Sequence, residues 1–100
     1  KYYENAKKYL SRGCSGVLSF GVRGGLENAK KFVEKLQIAS LVTHVSDVRT
    51  CVIHPASTTH RQLTEEQLIA SGVLPSLIRL SVGIENVEDL IADLNQALNF

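Results

Sequence analysis

The stretch Leu77-Ile78-Arg79-Leu80-Ser81-Val82-Gly83-Ile84-Glu85 alternates side-chain character with the period of a strand. Successive side chains of a strand point to opposite faces, so Ile78, Leu80 and Val82 share one face and Arg79, Ser81 and Gly83 the other. The constraint is that a guanidinium sits mid-strand, permanently charged and carrying five donors in a planar fork. Such a group is either paired with a neighbouring Asp or Glu or held ready for an anion, because charged side chains are rarely buried alone. The alternation leaves both readings open.

The chain has room to bury the apolar face. One hundred residues suit one domain, 1–100, and at this size about two-thirds of the unfolded surface is removed from water. With 44% hydrophobic and 21% charged residues the composition is that of an ordinary globular domain. A net charge of +1, from lysines and arginines that are scattered rather than striped, gives no electrostatic reason to expect a nucleic-acid partner. No apolar run approaches the ~20 residues of a membrane span, and the start is polar, so the expectation is a cytoplasmic protein with no membrane partner. Cys14 and Cys51 have neither CxxC neighbours nor metal-ligand spacing, and His44, His54 and His60 form no zinc pattern; free thiols and no metal are expected.

Taken in order, Tyr2, Tyr3, Ala6, Tyr9 and Leu10 recur at helical spacing, and Ser11-Arg12-Gly13 supplies a stop. Lys1 falls inside that helix and the chain contains no Met, which reads as a piece of something longer. Gly16 to Val22 reads as a strand with Leu18, Phe20 and Val22 on one face. After Gly24-Gly25, the residues Leu26, Ala29, Phe32, Val33 and Leu36 make the apolar stripe of a helix. The glycine pair hints at a phosphate cradle, but neither GxGxxG nor GxxxxGK spacing is present and a turn is favoured. A short apolar piece spans Ile38 to Val42, a polar break falls at Ser46-Asp47, and a strand runs from Arg49 to Ile53 until Pro55 ends it. Ala56 to Arg61 is a hydroxyl-rich loop. Thr64 and Gln67 make a capping box for a short helix ending at Gly72. Asn86 caps a last helix with Glu88 and Asp89 in its first turn and Val87, Leu90, Ile91, Leu94 and Leu98 as its apolar stripe.

This order predicts an α+β sandwich, a small, mostly antiparallel sheet with helices packed on one face. The second face, with Ser19, Arg79 and Ser81, is too polar for core and is expected to be wet or pressed against something outside these residues. No GxSxG, HExxH, paired carboxylates or Cys with an evident base is present, so no catalytic unit is complete in the chain.

Two segments, Val52-Ile53-His54-Pro55-Ala56-Ser57-Thr58-Thr59-His60 and Leu77 through Leu94, resemble the C-terminal end of the Cys/Met-metabolism pyridoxal-phosphate (PLP) enzymes. Phe20-Gly21-Val22-Arg23-Gly24-Gly25 is similar to that family's strand and turn, so the likeness covers essentially the whole chain. The form His54 to Leu63 and the Ile38 to Ser46 connection look most like its O-acetylhomoserine sulfhydrylases, with cystathionine γ-synthases, cystathionine lyases and methionine γ-lyase as close relatives.

The resemblance implies the C-terminal domain of a fold-type I PLP-dependent transferase. The lysine and phosphate site for the cofactor would lie in an absent N-terminal domain, the partner of this one. It implies an amino-acid substrate whose α-carboxylate is bound by Arg79, and a homo-oligomer, dimer or tetramer, at full length. Spacing back from His54-Pro55 puts His44 where relatives carry a small polar residue that also contacts the carboxylate, making His44 the second candidate; His54 reads as structural. None of the lysines stands in the context of the family's Schiff-base lysine, so no cofactor is expected on these residues and the piece alone is expected to be inactive. A rival reading is a free-standing ligand-binding or oligomerisation module.

Overall fold

A computed structural model describes residues 2–99; Lys1, assigned to the first helix above, and Phe100 lie outside the described residues. The elements are α1 (Tyr3–Tyr9), β1 (Val17–Gly21), α2 (Gly25–Lys35), β2 (Ser40–Leu41), β3 (Cys51–Ile53), a 3-10 turn (Pro55–Ser57), α3 (Glu65–Ala70), β4 (Leu77–Ser81) and α4 (Val87–Leu98). The strands form one sheet in the order β1-β4-β3-β2.

The arginine strand is therefore internal. β4 runs antiparallel to β1, with Ser19 opposite Arg79 and Phe20 opposite Ile78, and antiparallel to β3, with Val52 opposite Leu80 and Ile53 opposite Arg79. Only β2 departs from the antiparallel rule: Ser40 and Leu41 pair parallel with Cys51 and Val52. The predicted α+β architecture and mostly antiparallel sheet are the observed ones.

Helices α2 and α4 cover the face that carries Phe20, Val52, Ile78 and Leu80. Phe32 of α2 is fully buried there and meets Phe20 edge to face at 5.8 Å, an arrangement aromatic quadrupoles favour. On α4 the core side is Leu90, Asp93 and Ala97 with Leu94 partly buried, one step round from the predicted stripe; Val87, Ile91 and Leu98 are exposed. The displacement has a polar cause. Asp93, 5% exposed, accepts the backbone N–H groups of Gln37, Ile38 and Ala39 at 2.8, 2.8 and 3.1 Å, which turns this side of α4 toward the end of α2. Leu18 and Val82, expected under the helices, stay exposed and line an apolar hollow of about 200 Å³ with Leu80, Leu90 and Ile91.

The second face also differs from expectation. Cys51, Ile53 and Ser81 are buried on it, because the chain between β2 and β3 and the 3-10 turn lie against β3 and β4; Val17, Ser19 and Gly21 of β1 remain open. The strand predicted from Arg49 starts two residues later, since Asp47 accepts the Arg49 N–H in a tight turn.

His54 is 1% exposed and bonded through both ring nitrogens, Nδ1 to the Ser57 hydroxyl and Nε2 to the Pro75 carbonyl. A carbonyl can only accept, so Nε2 donates to Pro75, and with both ring nitrogens engaged and the ring buried His54 is a structural tie. The capping box of Thr64 and Gln67 and the Asn86 cap are formed as predicted. Helix α1 buries none of its side chains, leaving Tyr3, Tyr9 and Leu10 exposed.

Candidate carboxylate-binding site

Arg79 projects from the middle of β4 on the face away from α2 and α4, and one of its donors, Nη2, is bonded at 3.0 Å to the carbonyl of Thr43. Among the described residues no carboxylate lies within ion-pair distance of it. The pairing reading of the strand arginine is thus not met by any Asp or Glu of the described chain, and the guanidinium keeps donors for an outside anion.

Thr43 belongs to the connection from β2 to β3. Ser46 reverses this segment with φ of 61°, a left-handed conformation that is costly for a residue with a Cβ. The following Asp47 holds Arg49 twice: it accepts the Arg49 N–H at 3.0 Å and pairs with the guanidinium at 3.3 Å. The Arg49 N–H, with the charge of its guanidinium and its side-chain bond, lowers the pKa of Asp47 against the opposing effect of burial. The side chain of His44, 61% exposed, belongs to this cluster, with Nδ1 3.5 Å from Asp47 Oδ2 and 3.3 Å from Arg49 Nη2.

The structure therefore brings together the segments of the two predicted site residues, though not through the contact expected. Arg79 meets the backbone of Thr43, the neighbour of His44, while the His44 imidazole points its contacts at Asp47 and Arg49. Thr43, Asp47 and Arg49 are the participants that the sequence reading missed. A carbonyl has no side-chain signature, and the Asp47–Arg49 pair has the bland spacing of any turn.

The far leg of the same connection is tied to the end of β4. Glu85 accepts the Thr50 N–H at 2.6 Å and the Thr50 hydroxyl at 2.7 Å, and the Thr50 hydroxyl oxygen accepts the Gly83 N–H at 2.9 Å. The Thr50 hydroxyl and N–H hold the Glu85 carboxylate below its ordinary pKa.

No phosphate cradle accompanies the glycine pair before α2. Gly24 is left-handed, a Cβ there would collide with the Asn28 side chain, and Asn28 donates to the Arg23 carbonyl at 2.9 Å, so the turn closes on itself. Lys30 faces outward beside Glu27, and Lys7 and Lys8 lie over the Tyr3 and Tyr9 rings of α1. These residues do not fit a PLP phosphate or its Schiff-base lysine. No helix of the described residues is long and apolar enough to cross a membrane, and no cluster of three or more His, Cys, Asp or Glu is placed to hold a metal.

Residues 1–99 match the family model described as Cys/Met metabolism PLP-dependent enzyme. The chain belongs to that family. An O-acetyl-L-homoserine sulfhydrylase of Leptospira meyeri is 48% identical over 99 residues, 98% of this chain and 22% of that protein. A homocysteine synthase of Schizosaccharomyces pombe is 53% identical over 93 residues, again 22% of its length. Among solved structures, a protein described as an O-acetylhomoserine (thiol)-lyase of Campylobacter jejuni, with pyridoxyl-lysine monophosphate in it, superposes with a TM-score of 0.83 at 44% identity, over 99% of this chain and 24% of that one. The chain thus spans less than a quarter of the length of these relatives, and its family is PLP-dependent.

Proposed function

We propose that these residues are the C-terminal, substrate-carboxylate-binding part of an O-acetylhomoserine sulfhydrylase-like enzyme, which replaces the acetate of O-acetylhomoserine with sulfide or a thiol. The observation that carries this is Arg79: an internal-strand guanidinium bonded to one backbone carbonyl and facing no Asp or Glu among the described residues. A planar fork fixed at one corner can grip a carboxylate through two parallel N–H bonds, which sets both position and orientation. Orientation is what a PLP enzyme asks of its protein, the electrophilic chemistry being the cofactor's. The relatives' names support the reaction class.

The bare α1 supports the domain arrangement. An amphipathic helix with Tyr3, Tyr9 and Leu10 in water is readily explained by a preceding cofactor domain of the same polypeptide that covers it. By this reading residues 1–100 alone turn over no substrate. His44, next to Thr43, enters this reading through the segment it belongs to, its imidazole being turned to Asp47 and Arg49.

Arg79→Ala in the full-length enzyme tests the proposal. Loss of one charge-assisted bidentate contact lowers kcat/KM for O-acetylhomoserine on the order of a hundredfold or more. An unchanged kcat/KM removes Arg79 from the substrate site.

A further inference from the structure

We infer that Glu85, acting through Thr50, is a positioning residue for the carboxylate grip of Arg79, an inference that rests on the function proposed above. Arg79 can hold a planar anion in one orientation only if its own tip is held, and its protein partner is the Thr43 carbonyl. Thr43 to Ser46 are exposed, and Ser46 is left-handed, so burial does not fix this part of the connection. Something else must.

One leg is held by β2, which ends two residues before Thr43 and pairs with β3; the other leg, Val48 to Thr50, is bound to the three residues 83–85. The Ile84 N–H donates to the Val48 carbonyl at 2.8 Å and the Gly83 N–H to the Thr50 hydroxyl oxygen at 2.9 Å. Both donors of Thr50 then end on the two oxygens of one carboxylate, Glu85 Oε1 and Oε2. The backbones are so close that a Cβ on Gly83 would fall on the Val48 carbonyl oxygen and the Arg49 and Thr50 backbone. Residues 83–85 follow β4, the strand that carries Arg79, after the single residue Val82. The connection is thus tied to this segment at Thr43 by Arg79 and at Thr50 by Glu85, and the second tie acts with the β2–β3 pairing to set where the Thr43 carbonyl stands.

A carboxylate suits this place for a specific reason. Two donors of one residue need two acceptors a fixed distance apart, and an amide in the same position would set its NH2 either against the Thr50 N–H or against a hydroxyl that must turn to accept it and lose its own acceptor. Thr50 is 2% exposed, so its hydroxyl has no water to fall back on.

The test uses the full-length enzyme with Thr50→Val, Thr50→Ser, Glu85→Gln, Arg79→Ala and, as a core variant away from the connection, Phe32→Leu. Equilibrium binding of L-homoserine is compared with that of aminopropanol, which has the same amine and hydroxyl without the carboxylate. The expected result is that Thr50→Val and Glu85→Gln weaken homoserine, and raise KM for O-acetylhomoserine, roughly tenfold, the scale of one lost hydrogen bond to a charged group. Aminopropanol binding stays within twofold of wild type, kcat falls less than KM rises, Thr50→Ser retains wild-type affinity, and Phe32→Leu leaves the ratio of the two ligands unchanged. Equal weakening of both ligands by Thr50→Val, or no change in either, overturns the positioning role. If Arg79→Ala itself fails to change the ratio, the carboxylate reading falls and this inference with it; if only the Thr50 and Glu85 variants fail, the carboxylate reading stands.

Discussion

Replacing Asp93 by Ala removes the tie between α4 and the chain leaving α2. Its carboxylate accepts three successive backbone N–H groups, from Gln37, Ile38 and Ala39, and the Gln96 amide at 3.0 Å. Ala39 is buried, so its N–H is left without an acceptor, at a cost of about 1–3 kcal/mol. Gln37 and Ile38 lie at the surface, where water replaces the lost acceptor and each bond costs about 0.5–1 kcal/mol. Less the relief of no longer desolvating a charge, the sum is about 3 kcal/mol, a large share of the ~5–15 kcal/mol by which a domain is stable.

The pH dependence of Asp93 gives an independent check. Burial raises its pKa and is the largest single influence, but the N–H groups of Gln37, Ala39 and Ile38 and the Gln96 side chain together outweigh it, and the net value lies below the ordinary 3.8. A carboxyl with a lowered folded-state pKa stabilises the fold above its unfolded pKa and loses that contribution as pH falls through the folded value. The difference in unfolding free energy between wild type and Asp93→Ala, from urea titrations followed by circular dichroism, is therefore full at pH 7 and shrinks below about pH 4. A difference under about 1 kcal/mol at pH 7, or one that stays constant down to pH 3, refutes the reasoning.

Ser46→Gly relieves the left-handed strain at φ 61° and raises stability by about 0.5–1 kcal/mol, read as a higher denaturation midpoint; a lower midpoint contradicts the backbone argument. Phe32→Ala empties the centre of the helix-covered face and costs about 3–5 kcal/mol by the same titration, since the side chain is fully buried against Phe20 and the sheet. Asn86→Ala strips the side-chain acceptor from the Glu88 and Asp89 N–H groups and costs about 1 kcal/mol; an unchanged midpoint means the cap contributes nothing.

The parts of the fold that could be read from the chain are those written in local periods. The alternation of Leu77 to Ser81 marks β4, the Ala29, Phe32 and Val33 spacing marks α2, and Thr64 with Gln67 marks the start of α3. β2 falls inside the apolar piece read at Ile38 to Val42, but its parallel pairing was not legible, because two residues cannot express a period. Asp93 was passed over for a related reason: its partners, 54–56 positions away, leave no trace near it, and an Asp on a helix reads as a solvated one. Arg79 was visible as a candidate from its position in the strand, and the family resemblance gave it a role. What it leans on, the Thr43 carbonyl, is a backbone atom that any residue type would supply. The Glu85–Thr50 bonds span 35 positions and were equally silent.

Hydrogen-bonded ladders on both sides of β4 put the arginine on the least yielding strand of the sheet, whereas its carbonyl partner sits on an exposed connection. The two halves of the proposed grip are thus held with unequal firmness. On the function proposed above, substitutions at positions 43–47 would reshape the surroundings of a carboxylate held by Arg79 without disturbing a ladder or the helix-covered core, while the arginine stays in register. The cost of such exploration falls on residues 83–85, whose bonds to Val48 and Thr50 must survive every version of the connection.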